Sequence, residues 1–196
     1  WGVGEDQFIR PVHAILALCG KQAISFRFAG VPSGNFTFPH RMALQKKLIF
    51  GASQKITAAS YRQKLRSAGV LVDPEERKKE ILRVADQLAK KVHARPDWTD
   101  DLVNELVYTL ENPVGDVCKF QEEFLNLPKP VLETVLRKQQ KTVPLEGRNG
   151  ELLPRFIFWS DGKRNNGKIL AEGNERVVDA RLTDARFFFE EDKKTP

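Results

Sequence analysis

The sequence predicts an α+β fold: a mostly antiparallel or mixed sheet flanked by helices, ending in a long C-terminal helix. Three observations carry this. Residues 152–160 alternate with the two-residue period of a strand, residues 81–92 repeat with the period of a helix, and such segments follow one another in irregular order. At 196 residues, 41% hydrophobic and 30% charged, the chain is long enough for one substantial core and too short for two large domains.

Taken in order, residues 8–18 and 23–29 are apolar or alternating and flank Gly20-Lys21-Gln22, so they read as two strands joined by a short turn. Pro11 places the start of the first at an edge or a bulge. Residues 30–39, punctuated by Gly30, Pro32, Gly34 and Pro39, read as a loop, and 48–50 as a short strand. Tyr61, Leu65 and Ala68 share one face of a short helix that Gly69 ends; residues 70–72 are a strand or connector.

Asp73 as N-cap, Pro74 at the first position, and Glu75 and Glu76 in the first turn start a helix. Its apolar face is Ile81, Leu82, Ala85, Leu88, Ala89 and Val92, with Lys78, Lys79, Lys90 and Lys91 largely on the rest of the surface. Thr99 caps a helix to residue 111 that Pro113 closes, and a short strand over 114–118 follows. Residues 125–140 read as a helix entered near Pro130. In the strand over 152–160, Phe156, Phe158 and Ser160 point to one side and Ile157 and Trp159 to the other. Residues 169–192 form a helix whose Val177, Val178, Leu182, Ala185, Phe188 and Phe189 fit an apolar face. The Phe187-Phe188-Phe189 run leaves a ring outside that face, so this helix packs on two sides. The expected division is residues 1–168 as one α+β domain and 169–196 as a C-terminal helix leading toward a further domain.

No apolar run approaches the ~18 residues of a membrane-spanning helix. The chain begins at Trp1, with Met42 as its only methionine, and so reads as a segment of a longer polypeptide. Cys19 and Cys118 are isolated from each other and from His13, His40 and His93, so no disulfide framework and no metal site is expected.

A net charge of +6 is distributed unevenly: residues 1–50 carry +4, 51–96 carry +6, 97–136 carry −7 and 137–196 carry +3. Segregated positive charge attracts a phosphate backbone. The candidate RNA-binding residues are Arg10 and His13, His40 and Arg41, the helix lysines Lys78, Lys79, Lys90 and Lys91, and the cluster Arg137, Lys138 and Lys141. Each has a plainer reading: packed imidazoles, a solvated helix face, and cations that complement a helix C-terminus. Residues 162–168 match the G-x-x-x-x-G-K string of a phosphate-cradling loop. Ile169 stands where a magnesium-binding hydroxyl belongs, so Gly162, Gly167 and Lys168 read as a turn. No catalytic constellation is evident.

Three strings, at residues 8–13, 69–77 and 172–188, together resemble the β-subunit of bacterial-type glycyl-tRNA synthetase. Residues 120–127, 131–141 and 153–157 fall in the same order between them. The resemblance implies an early segment of that subunit, accessory to a class II enzyme whose α-subunit uses ATP and magnesium to activate glycine. It implies no cofactor and no catalytic residue here. The implied partners are the α-subunit, tRNA(Gly) and the remainder of the β-subunit, with no membrane, in a cytoplasmic or organellar setting. The family is similar in part to the editing region of phenylalanyl-tRNA synthetase, so an editing-like aminoacyl-tRNA hydrolase is the alternative; a scaffold without RNA contact is another.

Overall fold

The structure is a computed structural model that describes residues 12–44, 46–51, 56–162 and 167–194. The chain divides into two compact units, Trp1–Val72 and Asp73–Pro196.

The first unit is built from strands of two to four residues: β1 (Ile15–Leu16), β2 (Leu18–Cys19), β3 (Gln22–Ala23), β4 (Arg27–Phe28), β5 (Val31–Gly34), β6 (Phe36–Thr37) and β7 (Leu48–Ile49). β5 is flanked by β1, which runs parallel to it, and β4, which runs antiparallel. β2 and β3 form a hairpin around Gly20-Lys21, where Gly20 takes φ +63. β6 pairs with β7. Helix α1 (Ala58–Ser67) starts at a capping box in which Thr57 and Ser60 satisfy each other's backbone N–H groups. Leu65 and Ala68 then bury against Leu48 and Phe50, with Leu16, Leu18, Tyr61 and Val70 around them.

The second unit is a three-layer arrangement. Its antiparallel sheet has the order β8 (Arg95–Pro96), β10 (Val143–Glu146), β11 (Leu152–Asp161), β9 (Pro113–Lys119). The alternation along β11 sets the layers. Ile157 and Trp159 face α2 (Pro74–Lys91) and α3 (Asp100–Thr109) in one apolar cluster with Ile81, Ala85, Leu102 and Leu106. Phe156 faces the other side, with Phe120, Phe124, Leu136, Val178 and Leu182. That layer comprises a 3₁₀ turn (Glu122–Asn126), α4 (Lys129–Glu133) running into a π-helical turn (Thr134–Gln139), and α5 (Gly167–Asp192).

The caps at Asp73 and Thr99, with Pro74 in the first turn of α2, are as the sequence predicts. Two readings differ. The loop expected over 30–39 holds β5 and β6. Pro32 removes a donor, but a bridge of a few residues needs only the partners that tertiary folding supplies. The helix expected over 125–140 is interrupted: Pro128 disfavours helical backbone at Leu127, so a 3₁₀ turn ends there and α4 begins at Lys129. The boundary between compact units falls after Val72. The C-terminal helix packs within the second unit, because Val178 and Leu182 complete its core.

Candidate nucleic-acid interface

Lys21, Arg27, Arg41, Lys46, Lys47, Arg62, Lys64 and Arg66, all exposed, are the Lys and Arg of the first unit's described residues, which include no Asp or Glu. Aromatic rings lie among these cations. Phe26, Phe28 and Phe38 are exposed, Phe28 by 51%. A turn at Ala29 and Gly30, both at positive φ, returns the chain from β4 to β5 and takes a hydrogen bond of 2.9 Å from the Arg27 guanidinium to the Gly30 carbonyl. Ser33 fixes the approach to this turn, accepting from the Phe26 N–H at 2.8 Å and donating to the Ile24 carbonyl at 2.7 Å. Phe38 meets Phe36 and His13 edge-on, at centroid separations of 5.9 and 6.5 Å. Lys47 sits 4.4 Å above the Phe36 ring and Lys64 4.5 Å above Phe50. Exposed rings offer faces to unpaired bases and the cations offer charge to phosphate, so the surface can take single-stranded or looped RNA.

Of the residues singled out from the sequence, Arg10 lies outside the described residues. His13 is exposed beside Phe38, and Arg41 is exposed. His40 is buried: its backbone N–H donates to the Ala68 carbonyl at 3.1 Å, and its Nδ1 accepts from the Met42 N–H at 3.2 Å. Lys78 and Lys79 lie some 18 Å along α2 from Lys90 and Lys91, at 1.5 Å per residue. Between them Arg83 pairs with Glu80 at 2.6 Å.

Arg137, Lys138 and Lys141 do meet, in a groove of about 600 Å³ between α3 and the π-helical turn. Asp101, Glu105 and Glu133 line it too. Arg137, with its side chain only 14% exposed, pairs with Asp97 and lies 3.5 Å from Glu133. Lys141, at φ +54, bonds Glu105 at 2.8 Å. Nearby, Lys129 bonds Glu146 at 2.8 Å, which raises the Lys129 pKa. Burial lowers that of Arg137, yet a guanidinium stays protonated throughout the physiological range. Of the three, Lys138 alone is exposed without an ion pair among the described residues. Carboxylates thus neutralise two of the groove's three cations, and the groove is not a positive funnel.

The string over 162–168 brackets four residues outside the described set. Gly162, at φ +108, ends β11 and donates to the Asn112 carbonyl at 3.0 Å. Gly167 opens α5, and the Lys168 side chain, 91% exposed, points toward Glu172 at 3.9 Å. No helix among the described residues is long and apolar enough to cross a membrane.

Sequence reasoning missed Phe26, Phe28 and Phe38, and with them Lys21, Arg27, Lys46, Lys47, Arg62, Lys64 and Arg66. The available signal was the stretch between Asp6 and Asp73, which contains no acidic residue. Charge counted in blocks cut at residues 50 and 96 divides that stretch and hides it.

The family model described as Glycyl-tRNA synthetase beta subunit matches residues 1–196. Among curated relatives, the chain is 38% identical to a glycine–tRNA ligase beta subunit of Thermodesulfovibrio yellowstonii over 194 residues, covering 99% of this chain and 28% of the relative. It is 38% identical to that of Moorella thermoacetica over 196 residues, covering 100% and 28%. It is 37% identical to the chloroplastic/mitochondrial glycine–tRNA ligase 2 of Arabidopsis thaliana over 187 residues, covering 95% and 17%. The chain therefore spans little more than a quarter of the bacterial relatives it matches.

Proposed function

Because the chain belongs to the Glycyl-tRNA synthetase beta subunit family, we propose that it acts as an accessory, tRNA-holding part of a glycine–tRNA ligase, with the first unit's surface meeting tRNA(Gly). The single observation that carries this is the cation and aromatic surface of residues 12–72, which has no carboxylate among its described residues to repel a phosphate backbone. Adenylate chemistry, with ATP and magnesium, belongs in this reading to a partner α-subunit, which this chain helps to assemble.

Electrostatic attraction supplies affinity and register, and stacking supplies preference for unpaired nucleotides. These contributions separate experimentally. Replacing Lys21, Arg27, Arg41 and Lys46 by Gln is expected to weaken tRNA binding and to flatten the log–log salt dependence by about 0.7 to 0.9 for each phosphate that is no longer neutralised. Changing Phe26 and Phe28 to Ala is expected to cost about 1–3 kcal/mol per stacked base with the salt slope unchanged. Binding that is unaltered in both variants removes the first unit from the RNA interface. Changing Lys138 to Gln tests the groove in the same titration, with little effect expected.

A further inference from the structure

The residues of α5 that pack inward, Ala171, Val178, Leu182, Ala185 and Phe189, account for one side of the helix. Glu175 and Asp179 on the same side accept the backbone N–H groups of Lys119 and Gln121 at 2.9 and 3.1 Å. A second, largely apolar row runs along the opposite side: Leu170, Gly173, Val177, Ala180, Asp184 and Phe187, alternating steps of three and four, with Ile169 and Phe188 beside its ends. That spacing is the 3.5-residue repeat with which one helix packs along another. Val177 is 47% exposed, Phe187 60% and Phe188 63%. A glycine weakens a helix interior, yet a Cβ on Gly173 would meet nothing within 4 Å, so no contact within the chain calls for it. In a seam, a glycine admits the backbone of a second helix.

We infer that this outward face of α5 docks an apolar helix, carrying a basic residue opposite Asp184, that belongs to the part of the β-subunit outside the region matched here. This rests on the family reading of the proposed function. More than two thirds of each bacterial relative lies outside the matched region, so those subunits have further chain from which such a helix can come. Asp184 argues against a second copy of this chain. A parallel copy sets it against another Asp184, and an antiparallel copy in heptad register sets it against Gly173, Ala180 or Phe187, none of which can pair with a carboxylate. Within the chain its contact is Arg181 at 3.8 Å, both side chains being more than half exposed.

The test compares maleimide labelling of Ala180→Cys, in a Cys19→Ser background, in two proteins. One is this chain alone. The other is the Moorella thermoacetica β-subunit with its matched region replaced by this chain. Labelling at least tenfold slower in the chimera is expected, with Phe187→Glu restoring fast labelling and circular dichroism showing both proteins folded. Equal rates in the two proteins overturn the inference. So does labelling of the isolated chain that slows with its own concentration, since that assigns the face to a second copy. Phe187→Glu leaving the chimera's labelling slow also overturns it, because the protection then arises elsewhere. Titration of both proteins with tRNA separates the two readings: a chimera that labels as fast as the isolated chain and still binds tRNA fails only the docking, and a protected chimera that does not bind tRNA fails only the RNA role.

Discussion

The second unit wraps two apolar clusters around a single four-stranded sheet, whereas the first gathers Leu48, Phe50, Leu65 and Ala68 among strands of two to four residues. Charge follows the same division. Residues 1–72 hold ten Lys and Arg against two acids, and residues 73–196 hold twenty-two against twenty-four. In the second unit cations find carboxylates, as Arg137, Lys141 and Lys129 do, and they serve the fold. In the first, cations lie over rings and beside exposed phenylalanines. A positive residue therefore signals a polyanionic partner according to the acids around it, and a count over the whole chain, at +6, averages two different surfaces.

The largest test of this contrast is Phe156→Ala. It empties a fully buried position between β11 and the α5 layer and should cost about 3–5 kcal/mol. Urea unfolding of the wild type is expected in two transitions, and only the one assigned to the second unit should move. A single cooperative transition would break the comparison. Arg137→Ala comes next: it strips the partner from Asp97 and Glu133 and should cost about 1–3 kcal/mol, while the tRNA salt slope stays as in the wild type. A flattened slope would return the groove to the RNA interface.

Gly173→Ala should raise the stability of the second unit by about 0.5–1 kcal/mol, read from the same urea curves, because the added methyl enters open space on a helix. The smallest effect concerns the thiols. Burial, then Glu175 and Asp116, push the Cys118 thiol up to about 12, whereas Cys19 is exposed. Iodoacetamide at pH 8 should modify Cys19 alone in the native protein and both cysteines in denaturant. An unfolded thiol ionises near pH 9, so the folded state holds a proton that the unfolded state releases between about pH 9 and 12. Cys118 is thus neutral to stability at pH 7 and lowers it as pH rises through that window. Reversible urea titrations at pH 7 and 10 on the wild type and Cys118→Ala check the sign.

Much of the second unit was legible because its signals are local. Asp73-Pro74, the Thr99 cap and the alternation of Phe156 with Ile157 each specify structure within a few residues. The first unit was legible mainly at Gly20-Lys21, where the turn itself carries the information. β1 pairing with β5, which joins Ile15 to Ser33, is fixed by packing of Leu16 and Leu18 rather than by any periodic run. The π-helical turn was invisible because it depends on Thr142, whose buried hydroxyl and N–H both donate to the Leu136 carbonyl at 2.9 Å. The basic residues of the groove were legible as a cluster. Their neutralisation was not, because Asp97 and Glu105 lie more than thirty residues away in the chain.

The position of Val178 and Leu182 in the second core has a consequence for synthesis. Every residue that closes the first unit's apolar cluster has been translated by Val72, but the cluster behind Phe156 lacks two of its fully buried members until α5 emerges. At about 5–20 residues per second, the intervening hundred or so residues take roughly 5 to 20 s to translate. Throughout that interval the basic unit has all the residues of its own cluster, and once β11 is made the face of the sheet that α5 will cover, including Cys118, stays open until α5 follows. The nascent chain is therefore expected to present its basic surface before the unit that carries most of its packing is complete.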